Sequence, residues 1–156
     1  MDKPQIYGDL QAQLMALIAG ETDRVANAAN MAALIRHGLP DLNWAGFYFR
    51  RGDELVLGPF QGKPACVRIP LGKGVCGIAT ARAGTVLVPD VHDFPAHIAC
   101  DPASRSELVV PLIETGEVSG VLDLDSPIVG RFDEIDQAGC ERLVALFVDH
   151  HHRDPG

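Results

Sequence analysis

Residues 106–126, SELVVPLIETGEVSGVLDLDS, are the stretch that decides the fold of this chain. Apolar residues dominate the runs from Ser106 to Ile113 and from Val118 to Asp125, and Thr115-Gly116 stands between them. Two strand-like runs joined by a short turn that contains glycine predict an antiparallel hairpin. Helical segments precede and follow the strands rather than alternating with them, so we expect an α+β domain whose antiparallel central sheet is covered by helices.

The far end of this hairpin is acidic. Asp123 and Asp125 alternate with Leu122 and Leu124, so in a strand both carboxyl groups point to one face, about 6.5 to 7 Å apart. Aspartate is depleted in strands and is costly to bury without partners. The face therefore needs cations, hydrogen-bond donors or bulk water. A solvated sheet face, or a turn at Asp125-Ser126-Pro127, is the alternative interpretation.

Glu107 lies on the partner strand and brings another carboxyl group toward the same end. A strict two-residue turn at Thr115-Gly116 pairs Glu107 with Leu124, which points to the other face. A bulge or a longer turn must shift the pairing by one residue before Glu107 can join Asp123 and Asp125. The carboxyl cluster is thus a prediction that depends on the hairpin register.

Apolar periodicity and capping residues predict the longer helices. They run from about Gln5 to Ala19, from a cap at Thr22 or Asp23 to about His37, and from Phe132 onward with Asp133 as N-cap. The last helix is expected to bury Ile135, Leu143, Val144 and Phe147. Residues 149–156 are expected to form a frayed tail.

Short segments rich in β-branched and aromatic residues predict the remaining strands. They are Asn43 to Arg50, Glu54 to Leu57, Ala65 to Ile69 and Val86 to Val88. The connections are predicted as a loop from Gly58 to Pro64, a glycine-rich start of a short helix from Gly72 to Ala81, and a long loop from Pro89 to Arg105.

The first strand is rich in aromatic residues, and its alternation separates them into two pairs. Trp44 and Tyr48 point to one face, whereas Phe47 and Phe49 point to the other. One pair can fill the core while the other lines a site. The alternative is that all of these rings are core residues, since buried Trp and Tyr are common where their polar tips find partners.

Composition limits the classes of partner. A chain of 156 residues is long enough to form one domain with its own core. Its formal charge of −8 and the absence of a long apolar run argue against a nucleic-acid binder, adhesion to anionic lipid and a membrane span. Because no apolar targeting segment follows Met1, we expect a cytoplasmic protein whose cysteines serve metal binding or redox chemistry rather than stapling.

The cysteines differ in context. Cys100 lies in Pro95-Ala96-His97-Ile98-Ala99-Cys100-Asp101-Pro102, a loop-like segment in which packing does not explain a cysteine. Cys140 falls in a helical run and is most simply a small buried hydrophobe. Cys66 is expected at a strand edge, and Cys76 near a helix N-terminus that would lower its pKa.

Three other uses of these residues stay open. A zinc site could be built from Cys66, Cys76, Cys100 and His97, although no CxxC pair occurs. A hydrolase could pair Cys100 with His97, but nothing orients that histidine as a base toward a substrate. The helix that starts after Gly72-Lys73-Gly74 could hold an anion, although the segment lacks the ending of a Walker loop.

Several motifs together resemble one known family, the free methionine-(R)-sulfoxide reductases, which are single GAF domains. The resemblance spans roughly residues 5 to 148, with Ala96 and Pro64 as departures from the family pattern. The motifs that carry it are Asn43-Trp44-Ala45-Gly46-Phe47-Tyr48, Leu57-Gly58-Pro59-Phe60-Gln61-Gly62-Lys63, Ala65-Cys66-Val67-Arg68-Ile69, Gly74-Val75-Cys76-Gly77, His97-Ile98-Ala99-Cys100-Asp101, Ser106-Glu107 and Gly120-Val121-Leu122-Asp123-Leu124-Asp125-Ser126.

The resemblance implies a fold and a set of functional residues. The fold would be a GAF-like six-stranded antiparallel sheet with helices on both sides, and residues 1–156 would be one domain with a core of about 5–148. The nucleophile would be Cys100, the main resolving thiol Cys66 and an assisting thiol Cys76. Substrate binding would fall to the carboxylates and to an aromatic wall, which correspond to Glu107, Asp123, Asp125, Trp44 and Tyr48.

The implied chemistry suits these residue types. A Cys100 thiolate attacks the sulfoxide sulfur, methionine leaves, and the sulfenic acid condenses with a second thiol into a disulfide. Glu107 or Asp125 is the expected proton donor, and another carboxylate would hold the ammonium group of the free amino acid. The resemblance implies thioredoxin and NADPH as the external reducing system, with no bound cofactor or metal. The oligomeric state stays open, with a homodimer as one option, and a non-catalytic GAF sensor is the alternative function.

Overall fold

The computed structural model describes residues 1–95 and 100–153. The helices are α1 (Lys3–Ile18), α2 (Arg24–Gly38), α3 (Gly74–Arg82) and α4 (Glu134–Arg153), with a 3-10 turn at Val91–Asp93. The strands are β1 (Trp44–Arg51), β2 (Glu54–Gly62), β3 (Arg68–Pro70), β4 (Val86–Val88), β5 (Ser106–Glu114) and β6 (Glu117–Ser126). Within the described ranges these strands form a six-stranded sheet in the order β3-β2-β1-β6-β5-β4, with every neighbouring pair antiparallel. The predicted α+β architecture is confirmed.

Helix starts follow the capping residues. The Asp2 side chain accepts a hydrogen bond from the Gln5 backbone N–H at 2.9 Å. The Gln5 side chain in turn accepts one from the Asp2 backbone N–H at 3.3 Å, which completes a capping box. Asp23 caps α2 by accepting from the Ala26 N–H at 2.8 Å. The predicted capping of the second helix at this position is confirmed, and carboxylates there also suit the positive end of the helix dipole.

The sheet carries helices on both faces. Helices α1, α2 and α4 cover the face that holds Phe47, Leu108 and Leu122, whereas α3 lies on the face that holds Trp44 and Tyr48. The alternation predicted for β1 is therefore confirmed, because its two aromatic pairs belong to different hydrophobic clusters. The smaller layer under α3 is the one that builds the site.

The β5–β6 hairpin contains the required irregularity. Glu114 pairs with Glu117 and Ile113 with Val118, but Leu112 pairs with Gly120, which leaves Ser119 as an extra residue. This bulge shifts the rest of the ladder by one position. Glu107 consequently pairs with Asp125 rather than with Leu124. The one-residue shift that the predicted carboxyl cluster requires is therefore present.

Two boundaries near Cys66 were predicted wrongly. Strand β2 continues to Gly62, where a loop from Gly58 was expected, because a bulge opposite Phe47 accommodates Pro59, which has no N–H to donate to the ladder. Strand β3 begins only at Arg68, so Cys66 lies in an irregular segment and not at a strand edge. That segment, residues 63–67, will be called the Cys66 segment.

The first turn of α4 presents a different face to the core from the one predicted. Ile135 is 45% exposed, whereas Asp136 is fully buried. Asp136 accepts a hydrogen bond from the Tyr7 hydroxyl at 2.8 Å and pairs with Lys3 at 2.7 Å. Those partners in α1 satisfy the carboxylate, so the apolar residue turns outward. The predicted burial of Leu143, Val144 and Phe147 is confirmed.

The expected fraying from residue 149 is also wrong for the described part of the tail. Helix α4 continues to Arg153, and the His150 ring lies 2.7 Å from the Glu21 carbonyl. His151 is mostly buried, contacts the Phe147 ring in a tilted arrangement with centroids 4.6 Å apart, and lies 3.2 Å from the Asn27 amide nitrogen. Among the described residues, no helix combines the length and apolarity that a membrane crossing requires.

Candidate active site

A small cavity lies between the sheet and α3, beside the disulfide described below. The described residues enclose about 40 Å³ there. The lining brings together seven of the eight residues singled out from the sequence, namely Trp44, Tyr48, Cys76, Cys100, Glu107, Asp123 and Asp125. Residues from β1, β5, β6, α3 and the long loop therefore converge on one place, as expected.

Cys66, the remaining residue of that set, is bonded to Cys100. The two cysteines are 34 positions apart in the chain, and their Cα atoms are 5.6 Å apart, well within the span that a disulfide requires. The pairing joins the Cys66 segment to the long loop after β4. Cys76 and Cys140 are free thiols and are buried.

The carboxyl groups of Glu107, Asp123 and Asp125 are almost fully buried. Burial raises the pKa of Glu107 well above its usual range, and repulsion by Asp123 and Asp125 adds to the effect. Burial also raises the pKa of Asp125 well above normal, with repulsion by Asp123 adding to the effect, and burial raises that of Asp123. Hydrogen bonds within the cluster raise the pKa of Glu107 further but act to lower that of Asp123, so they favour a proton on Glu107 and a carboxylate at Asp123. The cluster can therefore keep a carboxylic acid at neutral pH.

Cys76 behaves differently from the prediction based on its helix position. Burial raises its thiol pKa well above normal, and the neighbouring carboxyl groups of Asp123 and Glu107 raise it further. Those effects outweigh any lowering by the N-terminus of α3, which contains Cys76 at its third residue. The thiol stays protonated and can donate a hydrogen bond to Asp123.

One polar atom in the cluster has no partner. Oδ1 of Asp123 is buried and accepts no hydrogen bond from the described residues. The Cys76 Sγ atom and one oxygen each of Glu107 and Asp123 lie within 4.8 Å of one another, a spacing at which a metal ion could be held. A small organic cation would meet the same unsatisfied oxygen. His97, the other ligand of the zinc alternative, lies outside the described residues, as does Ala96.

Trp44 and Tyr48 form the aromatic side of the cavity. Their ring centroids are 5.9 Å apart, and Trp44 also stacks on Phe60 at 5.2 Å. Their polar tips point to backbone carbonyls: Trp44 Nε1 donates to Lys63 O at 3.1 Å, and Tyr48 Oη donates to Cys66 O at 2.9 Å. Both rings are therefore wall residues that also contact the Cys66 segment.

Three polar residues near the cavity were missed from the sequence. Asn43 Nδ2 donates to Asp101 Oδ2 and to Ser104 Oγ, each at 3.0 Å. Asp101 Oδ1 accepts from the Ala103 N–H at 2.9 Å, which forms an Asx-type turn directly after Cys100. The Asp-Pro-Ala sequence was a signal for that turn. Nothing in the sequence pairs it with Asn43, which lies 58 positions earlier.

Comparisons with known proteins identify the relatives of this chain. The GAF domain family matches residues 12–149. A free methionine-R-sulfoxide reductase of Escherichia coli (strain K12) is 54% identical over 145 residues, which cover 93% of this chain and 88% of that protein. A free methionine-R-sulfoxide reductase of Saccharomyces cerevisiae is 42% identical over 154 residues, which cover 94% of this chain and 86% of that protein.

A solved structure shares both fold and sequence. The X-ray structure of free methionine-R-sulfoxide reductase from Neisseria meningitidis, in complex with its substrate, is 45% identical and superposes with a TM-score of 0.96 over 99% of this chain and 93% of that one. The fold and the thiol-containing site place the chain in the class of GAF-domain thiol proteins. Within that class, the chain belongs to the free methionine-R-sulfoxide reductase family.

Proposed function

We propose that this chain reduces free L-methionine (R)-sulfoxide to methionine. The observation that carries the proposal is the Cys66–Cys100 disulfide beside a cavity of buried carboxyl groups and aromatic rings. A disulfide between these residues is the oxidised form that such a reaction leaves behind. The named relatives, and the complex of one of them with its substrate, support the same activity.

The reaction balances with two thiols. The Cys100 thiolate forms a bond to the sulfoxide sulfur, whose oxygen takes a proton. The oxygen then passes to the Cys100 sulfur as the S–O bond and the new bond between the two sulfurs both break, which releases methionine and leaves Cys100 as a sulfenic acid. The Cys66 thiol then attacks the Cys100 sulfur and displaces the oxygen as water. In sum, one sulfoxide and two thiols give one thioether, one disulfide and one water. Cys76 would assist as a further thiol.

The carboxyl cluster would serve both binding and proton transfer. The raised pKa of Glu107 and Asp125 supports their role as the acid that protonates the oxygen as the S–O bond breaks. The partnerless Oδ1 of Asp123 suits the ammonium group of a free amino acid. A peptide-bound methionine lacks that group, so this contact would select the free amino acid. Trp44 and Tyr48 would hold the S-methyl end.

The surroundings of the reaction are also part of the proposal. Residues 1–156 act as a single domain in the cytoplasm, where thioredoxin with NADPH reduces the disulfide, so that the protein contributes to resistance against oxidative stress. No bound cofactor or metal is required by this chemistry. A homodimer is compatible with the proposal but is not needed for it.

A coupled assay tests the activity. Protein, thioredoxin, thioredoxin reductase and free methionine-(R)-sulfoxide are expected to consume NADPH, and Cys100→Ser is expected to abolish that consumption. Cys140→Ser is the control, because Cys140 is a buried thiol whose pKa burial raises to about 12, and it packs against Tyr7 away from the cavity. The reductase proposal is wrong if NADPH is not consumed or if Cys100→Ser is as active as the parent.

Two alternatives have their own measurements. Metal analysis of the purified protein tests the zinc site, since a stoichiometric ion that resists mild chelation would overturn the thiol mechanism. Tight binding of a small amine or a cyclic nucleotide, without any turnover of the sulfoxide, would favour a GAF sensor instead.

A further inference from the structure

The Cys66 segment has little regular structure to hold it. Strand β2 ends at Gly62 and β3 begins at Arg68, so residues 63–67 lie outside the sheet ladder. Three described hydrogen bonds fasten the segment: Trp44 Nε1 to Lys63 O at 3.1 Å, Tyr48 Oη to Cys66 O at 2.9 Å, and Leu57 N to Val67 O at 2.9 Å. The bond to Cys66 itself comes from a side chain of β1.

Tyr48 is a well-fixed donor. Tyr48 is only 2% exposed, and its ring stacks on that of Trp44. Burial and the nearby carboxyl groups raise its hydroxyl pKa, so the proton remains available for donation to the Cys66 carbonyl throughout the working pH range. A hydroxyl buried this deeply needs a partner, and the partner that it has is the main chain of a redox-active residue.

The segment that follows Cys100 is fastened from the same end of the sheet. Asn43 comes directly before β1, and its Nδ2 donates to Asp101 Oδ2 and Ser104 Oγ. The Asn43 backbone N–H donates to Asp125 O at 3.0 Å, which fixes Asn43 relative to β6. Two side chains five positions apart, Asn43 and Tyr48, thus hold the segments on either side of the disulfide, Asn43 through side-chain acceptors and Tyr48 through the Cys66 carbonyl.

From this arrangement we infer that Tyr48 and Asn43 are positioning residues for the Cys66–Cys100 disulfide. They hold the two thiol-bearing segments in place in the reduced protein, so that less conformational entropy is lost when the sulfurs join. The inference deepens the proposed function and rests on it for the role of the disulfide in turnover. It gives Tyr48 a task separate from lining the substrate cavity.

The test uses the disulfide equilibrium and no sulfoxide. The full chain is equilibrated with mixtures of reduced and oxidised glutathione, remaining thiols are alkylated, and the Cys66–Cys100 disulfide is quantified by mass spectrometry. Tyr48→Phe keeps the ring and removes the donor. We expect the equilibrium constant for the disulfide to fall about fivefold, the size of one neutral hydrogen bond, which corresponds to a rise of about 20 mV in reduction potential.

Two further variants act on the same pair of segments. Asn43→Ala is expected to lower the disulfide equilibrium constant by a similar factor, because it releases the segment after Cys100. Trp44→Phe, which removes the other side-chain donor to the Cys66 segment, is expected to act in the same direction. Each variant is first shown to be folded by its thermal unfolding transition.

Tyr7→Phe is the matched control. Tyr7 is also a buried tyrosine with a hydroxyl that donates to a polar partner, Asp136, but it packs on the opposite face of the sheet. Tyr7→Phe is expected to lower stability without changing the disulfide equilibrium. The inference is overturned if folded Tyr48→Phe has the parental equilibrium constant, or if Tyr7→Phe lowers it as much as Tyr48→Phe does. A chain that fails to reduce the sulfoxide can still show these equilibrium shifts, so the two proposals fail separately.

Discussion

At the scale of single residues, the carboxyl cluster is the most unusual feature of this protein. Glu107, Asp123 and Asp125 are almost fully buried next to the Cys76 thiol. Among the described residues that line the cavity, none is a lysine or an arginine. Such a group is costly for the folded state unless protons or a ligand neutralise it. The cost is expected at a functional site, where pKa values must match the chemistry.

Glu107→Gln is expected to lower kcat/KM for free methionine-(R)-sulfoxide by about 10²- to 10⁴-fold, since an amide cannot supply the proton to the departing oxygen. The raised pKa of Glu107 also predicts that the activity of the parent falls as the pH rises and the cluster loses its proton. Steady-state kinetics across pH 5 to 10 measure both effects. Glu114→Gln is the control, because Glu114 lies at the other end of β5 and pairs with Arg24. Parental activity in Glu107→Gln, with loss in Asp125→Asn, would assign the acid to Asp125 instead.

The same cluster predicts a pH dependence of stability. The folded-state pKa of Asp125 is raised above its value in the unfolded chain. The contribution of its bound proton to the free energy of unfolding is therefore fully present below the unfolded-state pKa and is lost as the pH rises through the folded-state pKa. Asp125→Asn removes that loss. In the reduced, substrate-free protein its melting temperature is expected to exceed that of the parent by a few degrees at pH 8, with a smaller difference at pH 5. A difference that does not grow with pH would contradict the assignment of a raised pKa.

At the scale of elements, α1 and α4 are held together by one buried carboxylate. Asp136 accepts from Tyr7, contacts Lys3 at 2.7 Å and Arg131 at 3.3 Å, and accepts from the Asp133 backbone N–H at 3.0 Å. Arg131 is itself only 8% exposed. The start of α4 therefore depends on partners that lie far away in sequence, and an amphipathic helix pattern cannot show them.

Asp136→Ala is expected to lower the free energy of unfolding by about 3 to 5 kcal/mol, because it leaves the buried Arg131 and Tyr7 groups without their partner. Asp133→Ala is the comparison on the same turn. Asp133 caps the helix from an exposed position, and its loss is expected to cost about 1 kcal/mol. Urea denaturation of both variants measures the difference. Equal losses would mean that the Asp136 network contributes no more than an ordinary helix cap.

Much at this scale was predictable. Capping at Asp23, the alternation of aromatic residues in β1 and the hairpin around Thr115-Gly116 follow from local preferences that the structure confirms. The continuation of β2 through Pro59 did not follow, because pairing with β1 decides it. The outward turn of Ile135 likewise depends on contacts between α1 and α4.

At the scale of the whole molecule, the oxidised protein has little room for a substrate. The described residues enclose only about 40 Å³ at the site while Cys66 and Cys100 are joined. A cavity of that size holds only a few water molecules, so a whole amino acid does not fit without movement of the disulfide-linked segments. Methionine is therefore expected to leave before the disulfide closes.

The oxidised protein is accordingly expected to bind free methionine-(R)-sulfoxide at least about tenfold more weakly than the protein in which the disulfide cannot form. Isothermal titration calorimetry on the oxidised parent and on Cys100→Ser under the same oxidising conditions makes the comparison without turnover. Cys140→Ser in the oxidised state should bind as weakly as the parent. Equal affinity in the oxidised parent and in Cys100→Ser would show that the closed disulfide leaves the substrate site open.

The sequence by itself determined the positions of the main helices and strands and the faces on which alternating residues lie. These are local properties, because helix capping and the two-residue period of a strand are set by neighbouring residues. The roles of the candidate site residues came instead from the resemblance of several motifs to a known family. Only the tertiary structure decided the pairing of Glu107 with Asp125 and the acceptors of the Tyr48 and Asn43 side chains. Ladder register depends on one bulged residue, the Tyr48 acceptor is a backbone carbonyl, and the Asn43 acceptors lie 58 and 61 positions away in the chain, so local sequence carries no mark of any of them.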